Sequence, residues 1–130
     1  MAKTLFFGKH CEYLVFAELL KRGYDTYLPL VDDKGVDCII RNSDGTHLDI
    51  QIKGRGPRWI FNFGRVESRP NYFFIIYPPD RNFYVIPSSE ICKWLNGREK
   101  LGINNTIKEI LNKEYKNNFD LLAKNSNNSS

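Results

Sequence analysis

Apolar positions recur at helical spacing between Lys9 and Arg22, where Cys11, Leu14, Val15 and Leu19 form a stripe that Ala17 and Leu20 widen. Neither Gly nor Pro interrupts this run, and Gly23 follows a basic last turn. Residues 9–22 therefore predict a helix covered on most sides. A short strand is expected over residues 24–28, ended by Pro29. A turn-rich stretch with Asp32, Asp33 and Gly35 then leads into a β-branched strand over 36–41. Asn42 to Gly45 carries a hairpin-turn signal. From His47 to Lys53 the alternation is strict: Leu48, Ile50 and Ile52 face one way, Asp49, Gln51 and Lys53 the other.

Residues 54–71 differ in kind. Arg55, Arg58, Arg65 and Arg69 are interleaved there with Trp59, Phe61 and Phe63, and a further strand is expected over 59–63. Tyr72 to Tyr77 is almost wholly apolar and predicts a central strand covered on both faces. Pro78, Pro79 and Asp80 turn the chain, and a strand over 82–86 closes at Pro87. Ser88 and Ser89 are candidate N-caps of a short helix over 89–96. Beyond Gly97 the charges are dense and mixed. Residues 105–124 predict one helix or two short ones, with Ile107, Ile110, Leu111, Tyr115 and Leu121 as apolar positions, and 125–130 a disordered tail. No repeat or second domain is visible. Helix, three strands, basic segment, two strands and helices predict one α/β domain over 1–124, with a mixed sheet of about five strands.

Composition changes this picture little. A chain of 130 residues suits one core, and 42% apolar with 26% charged residues places it with ordinary globular proteins. The net charge of +4 is compatible with a polyanionic partner without establishing one. Cys11, Cys38 and Cys92 are odd in number, far apart and form no CxxC pair, which disfavours zinc; free buried thiols in a reducing compartment are the expectation. There is no signal-peptide pattern, and no apolar run approaches the ~18–20 residues that span a bilayer. A cytoplasmic protein without a membrane partner is expected.

Three features carry candidate chemistry. Glu12 shares a helix face with Val15, Phe16 and Leu19, and a carboxylate in such a stripe needs a cation, a metal or a hydrogen-bond donor. Glu18, four residues before Arg22, reads instead as a solvated helix-face ion pair. Asp37 begins a strand after Gly35-Val36, where an Asp is often only a cap for the preceding turn. Asp49, Gln51 and Lys53 project from one face of a strand, which by itself describes a solvent-exposed face. Together, Glu12, Asp37, Gln51 and Lys53 come from a helix and two adjacent strands that can converge on one side of a hairpin.

Gly8-x-x-x-Glu12, then Gly35-Val36-Asp37, then Gln51-Ile52-Lys53 resembles the PD-(D/E)XK nuclease superfamily. The likeness is to small stand-alone members, among them predicted intron-encoded (homing) endonucleases and relatives of Holliday junction resolvases. It extends over about residues 5–95, through the "NYFFIIYPPDRNFYVIPSSEI" segment. It implies a restriction-endonuclease-like core and a metal-dependent DNA endonuclease. In that reading Asp37, the Gln51 amide oxygen, the Ile52 carbonyl and Glu12 hold Mg²⁺, with Mn²⁺ as a substitute. A metal-activated water attacks phosphorus, and Lys53 orients it or neutralises developing charge.

This chain departs from the family pattern at two places. Gln51 stands where Asp or Glu is usual, which removes a formal charge and leaves open a catalytically inactive nucleic-acid-binding module on the same fold. Asp49, about 7 Å along the same face, either compensates or pairs with an Arg. Gly35-Val36 replaces the Pro before Asp37. Arg55, Arg58, Arg65 and Arg69, set against the single Glu67, are the expected DNA contacts. Trp59, Phe61 and Phe63 either stack on bases or, as is commoner for aromatics in an alternating run, belong to the core. Cutting both strands of a duplex with one site per chain implies a homodimer or higher homo-oligomer.

Overall fold

The computed structural model describes the backbone of residues 2–30, 35–54 and 58–127, and the side chains of 8–30, 35–54 and 58–123. The expectations at Asp32, Asp33, Arg55 and residues 128–130 lie outside the described residues.

The first helix, α1 (Ala2–Lys21), begins about two turns earlier than its apolar pattern required. Its core face is Cys11, Val15 and Leu19, all fully buried and spaced four residues apart. Ala17 and Leu20 are exposed, so the helix is covered on one side only and not on most sides. Gly23, at φ +87°, turns the chain out of the helix, and Tyr24 N–H donates back to Leu19 O at 3.0 Å. Glu18 and Arg22 form the expected surface pair at 2.8 Å.

Five strands follow in one mixed sheet: β1 (Thr26–Tyr27), β2 (Cys38–Arg41), β3 (His47–Gly54), β5 (Tyr72–Tyr77) and β6 (Tyr84–Pro87), in that spatial order. Only β3 and β5 run parallel. A parallel pair needs a long crossover, and residues 55–71 are that crossover. It lays β4 (Ile60–Asn62) over one face of the sheet, which explains the Trp and Phe content of this basic stretch. There β4 pairs with β7 (Lys100–Gly102), a strand the sequence did not announce. Helix α2 (Ser88–Leu95) follows β6 directly. Helix α3 (Asn105–Ile110), capped by the Asn104 side chain on Ile107 N–H, widens into a π-type turn (Leu111–Tyr115); α4 (Asp120–Asn127) closes the described chain.

The sheet divides two apolar clusters. Ile50, Ile52, Ile75 and Val85 pack towards Val15 and Leu19 of α1 and towards Phe119 and Leu122. The opposite face is aromatic, with Tyr72, Phe74 and Tyr84 against Phe61, Phe63, Leu101, Ile91 and Tyr115. Buried on both faces, β5 is the central strand its composition predicts. Each fully buried aliphatic side chain here contributes about 1.5–3 kcal/mol. Ser88 is not the helix cap its position suggested. Its buried hydroxyl accepts from Arg69 N–H and donates to Arg69 O, which ties the end of the crossover to α2. Among the described residues, no helix is long and apolar enough to cross a membrane.

Candidate functional site

The β2–β3 register reaches Cys38 opposite Ile50, while β3 runs on to Gly54 beside β5. The Ile52 N–H, on the β2 side of a 7%-exposed residue, therefore needs another acceptor. Asp37 supplies it: its Oδ2 accepts from Ile52 N–H at 2.7 Å, while its own N–H donates to Ile50 O at 2.8 Å. The carboxylate thus continues the ladder by one step and lies against the Gln51-Ile52-Lys53 strand. In a strand, N–H and C=O of one residue point to the same side, so the Ile52 carbonyl also faces this edge.

Asp37, Ile52 and Cys38 line a cleft of about 320 Å³ closed by α1, with Lys9, Glu12, Tyr13 and Phe16 across from them. Glu12 is half-buried at the flank of the helix stripe, not within it. Lys9 Nζ lies 3.4 Å from its Oε1, the cation that an apolar-stripe carboxylate was expected to need. That carboxylate in turn raises the Lys9 ammonium above its ordinary pKa. Burial, reinforced by the Asp37 and Glu12 charges, pushes the Cys38 thiol up to about 12, so it is a neutral wall of the cleft. All three cysteines are free, Cys11 and Cys38 buried and Cys92 half-buried with its thiol donating to Val66 O.

Gln51 points to the other face. It lines a second depression with Gly35, Phe63, Arg65, Glu67, Arg69 and Tyr72. Its Oε1 accepts from the Tyr72 hydroxyl at 2.6 Å. Gly35, at φ +75°, brings its backbone so close that a Cβ would lie 2.7 Å from Gln51 Nε2. Burial pushes the Tyr72 hydroxyl above its ordinary range; Arg69 opposes that shift, and the Asp37 and Asp49 charges add to it. Gly35 and Gln51 line this depression while their chain neighbours Val36 and Ile52 line the first, so the two flank the same stretch of β3. Lys53, one pleat beyond Gln51, lines a third depression with Ile60, Phe61, Asn62 and Lys100.

The basic segment divides. Arg58 and Arg65 are exposed, while Phe61 and Phe63 are core. Trp59 is half-buried against the aromatic cluster, with the Lys108 ammonium 4.4 Å over its ring. Arg69 is engaged within the protein: its Nη1 meets Asp49 Oδ2 at 3.2 Å, and its guanidinium lies 4.4 Å over the Tyr72 ring. Asp49 thus pairs with an Arg. Sequence reasoning missed Lys9, Tyr72 and the close approach of Gly35. Only Lys9 left a usable signal, three residues before Glu12; Tyr72 opens an apolar run and read as core alone.

No family model matches the chain, and no curated protein does. Among solved structures it is similar to a bacterial homing endonuclease, I-Ssp6803I, at 19% identity, with 98% of each chain covered and a TM-score of 0.66. At that identity the likeness is one of fold, and it runs through the whole length, the mixed sheet and its flanking helices together.

Proposed function

We propose that the protein is a metal-dependent DNA endonuclease, hydrolysing phosphodiester bonds on the PD-(D/E)XK plan. The observation that carries this reading is the bond from Asp37 to Ile52 N–H, which seats a carboxylate on the Gln51-Ile52-Lys53 strand, with Glu12 across the same cleft. The fold shared with a bacterial homing endonuclease supports the substrate class.

The donor set fits Mg²⁺. Asp37, Glu12 and the Ile52 carbonyl, which face the α1 cleft, are hard oxygens, and this ion accepts few protein ligands because it keeps several waters. Asp37 and the Ile52 carbonyl would hold it, with Glu12 joining directly or through water and Gln51 only once its oxygen turns away from Tyr72; Mn²⁺ suits the same donors. Bound there, the ion supplies positive charge and a water of lowered pKa. Lys53 neutralises charge that develops on the phosphate. Arg58 and Arg65, exposed and free to form paired hydrogen bonds, contact the DNA backbone, and Arg55 is assigned with them. Cleavage of both strands calls for two copies of the chain.

The test is cleavage of plasmid and branched DNA with Mg²⁺ or Mn²⁺. Wild type cuts, while Asp37→Ala and Lys53→Ala each fall by about 100-fold or more, the usual effect of removing an electrostatic catalyst. Equal residual cleavage by all three proteins would sink the reading. A second reading, a non-catalytic nucleic-acid-binding module, is favoured by one observation: the uncharged Gln51 already gives its oxygen to Tyr72. That reading predicts DNA binding that needs no divalent ion and weakens steeply with salt. Calorimetric Mg²⁺ binding that Asp37→Asn abolishes would exclude it.

A further inference from the structure

Lys53 and Lys100 line one depression of about 440 Å³, which Gly54, Ile60, Phe61 and Asn62 complete. The pairing of β4 with β7 brings Lys100 there. Phe61 and Leu101 point inward to the aromatic cluster, so Ile60 and Asn62 on β4 and Lys100 on β7 are turned outward. Asn62 sits directly opposite Lys100 in this ribbon. Gly102, the next residue on the Lys100 face, adds no side chain, and a Cβ there would meet only open space. The outer face of the ribbon is therefore open beside the two lysines.

The chemistry of the lining is one-sided. The α1 cleft holds Glu12 and Asp37 and the Gln51 depression holds Glu67, whereas no carboxylate lines this one. Among the described residues Lys53 and Lys100 form no ion pair, unlike Lys9 and Lys93, which meet Glu12 and Glu90. Asn62 Oδ1 accepts from Gly64 N–H at 3.2 Å, which leaves its NH₂ as the end free to donate. Two ammoniums and an amide NH₂ thus offer donors, and Lys53 is half-buried, where a charge calls for a counter-charge. Phosphate oxygens are anionic acceptors, and Lys and Asn side chains are common donors to them. We infer that Lys100 and Asn62 form, with Lys53, a site for one backbone phosphate of the DNA. The inference rests on DNA as the partner, not on a metal or on cleavage.

The experiment is fluorescence anisotropy of a labelled duplex titrated with the full chain in EDTA, repeated across a range of KCl concentrations. Lys100→Gln weakens binding by about tenfold, the worth of one hydrogen bond to a charged group, and Lys100→Arg restores it. The slope of log Kd against log salt falls by no more than about 0.9, the share of one phosphate, in Lys53→Gln, Lys100→Gln and the double variant alike. Affinity in the double variant falls by less than the product of the single losses, because both lysines serve one phosphate. Asn62→Ala weakens binding and leaves the slope unchanged, since it removes a donor without a charge. Lys93→Gln, an exposed lysine on α2, reports the effect of net charge alone. A Lys100→Gln loss no larger than that of Lys93→Gln would overturn the inference. So would a double variant whose slope falls by about twice 0.9, which would place the lysines on separate phosphates. If wild type binds no duplex, the DNA reading fails and the inference with it; binding without cleavage in Mg²⁺ removes the nuclease reading alone.

Discussion

The depressions lined by Asp37 and by Gln51 are built by opposite means. On the α1 side the main chain does the holding: Asp37 is fixed through its own N–H on Ile50 and its carboxylate on Ile52 N–H, both extensions of the β2–β3 ladder. On the other side Gln51 is held by side chains and one close backbone, drawn from Tyr72, Arg69, Asp49, Ser88 and Gly35. The difference follows from the donors. A carboxylate accepts through either of two equivalent oxygens, so main-chain donors are enough to hold it. An amide has two unlike ends that need different partners, and Tyr72 takes the oxygen.

The largest effect is expected from breaking the main-chain side. Asp37→Ala strips the buried Ile52 N–H of its acceptor and costs about 1–3 kcal/mol in a urea unfolding curve. Asp37→Asn keeps an oxygen there and recovers most of that stability while still losing the metal. An equal loss for both variants would mean that charge, not the acceptor, fixes the strand edge. Gly35→Ala tests the other side. The φ of +75° costs an L-residue about 1–2 kcal/mol, and the flexible Gln51 amide gives way to the new methyl. Unfolding midpoint and Mn²⁺ affinity should fall together in this variant, whereas an unchanged affinity would show that Gln51 tolerates being moved.

The smallest effect is a pH dependence. Cys38 keeps its proton in the folded chain up to about pH 12, against an ordinary thiol value of 9.0. Its raised pKa therefore contributes stability that is complete below pH 9.0 and is lost as pH rises towards 12. Urea midpoints should decline across that interval, and less steeply in Cys38→Ala. Cys11 and Cys92, together with Tyr24, Tyr72, Tyr84 and Tyr115, all pushed up by burial, contribute to the remaining slope. A decline of the same steepness in Cys38→Ala would remove the thiol from the account.

The sheet was legible wherever one residue's neighbours in the chain decide its environment. The strict alternation of β3 and the apolar run of β5 are of this kind. β7 was not legible, because Lys100-Leu101-Gly102 carries a single apolar residue and owes its form to β4, far away in sequence. The last helical stretch divides for a similar reason. Lys116 pairs with Tyr84, and Asn117, at φ +50°, exchanges backbone and side-chain bonds with Phe83. No local pattern announces such contacts. At the site, Asp37 could be read from its place before a strand, but its acceptor role depends on β3 outlasting β2. Glu12 was misjudged as buried because the helix stripe is narrower than its apolar residues suggested.

The long crossover between β3 and β5 also sets an order of events in folding. Asp37 and Ile52 belong to one hairpin whose turn is Asn42 to Gly45, and such local pairs close in microseconds. Tyr72 meets Gln51 only after the crossover has been closed and the parallel pair zipped, a non-local step that pays its entropy in advance. During folding the Asp37 carboxylate is therefore seated on β3 first, and the Gln51 side chain is fixed later, when β5 docks and brings Tyr72.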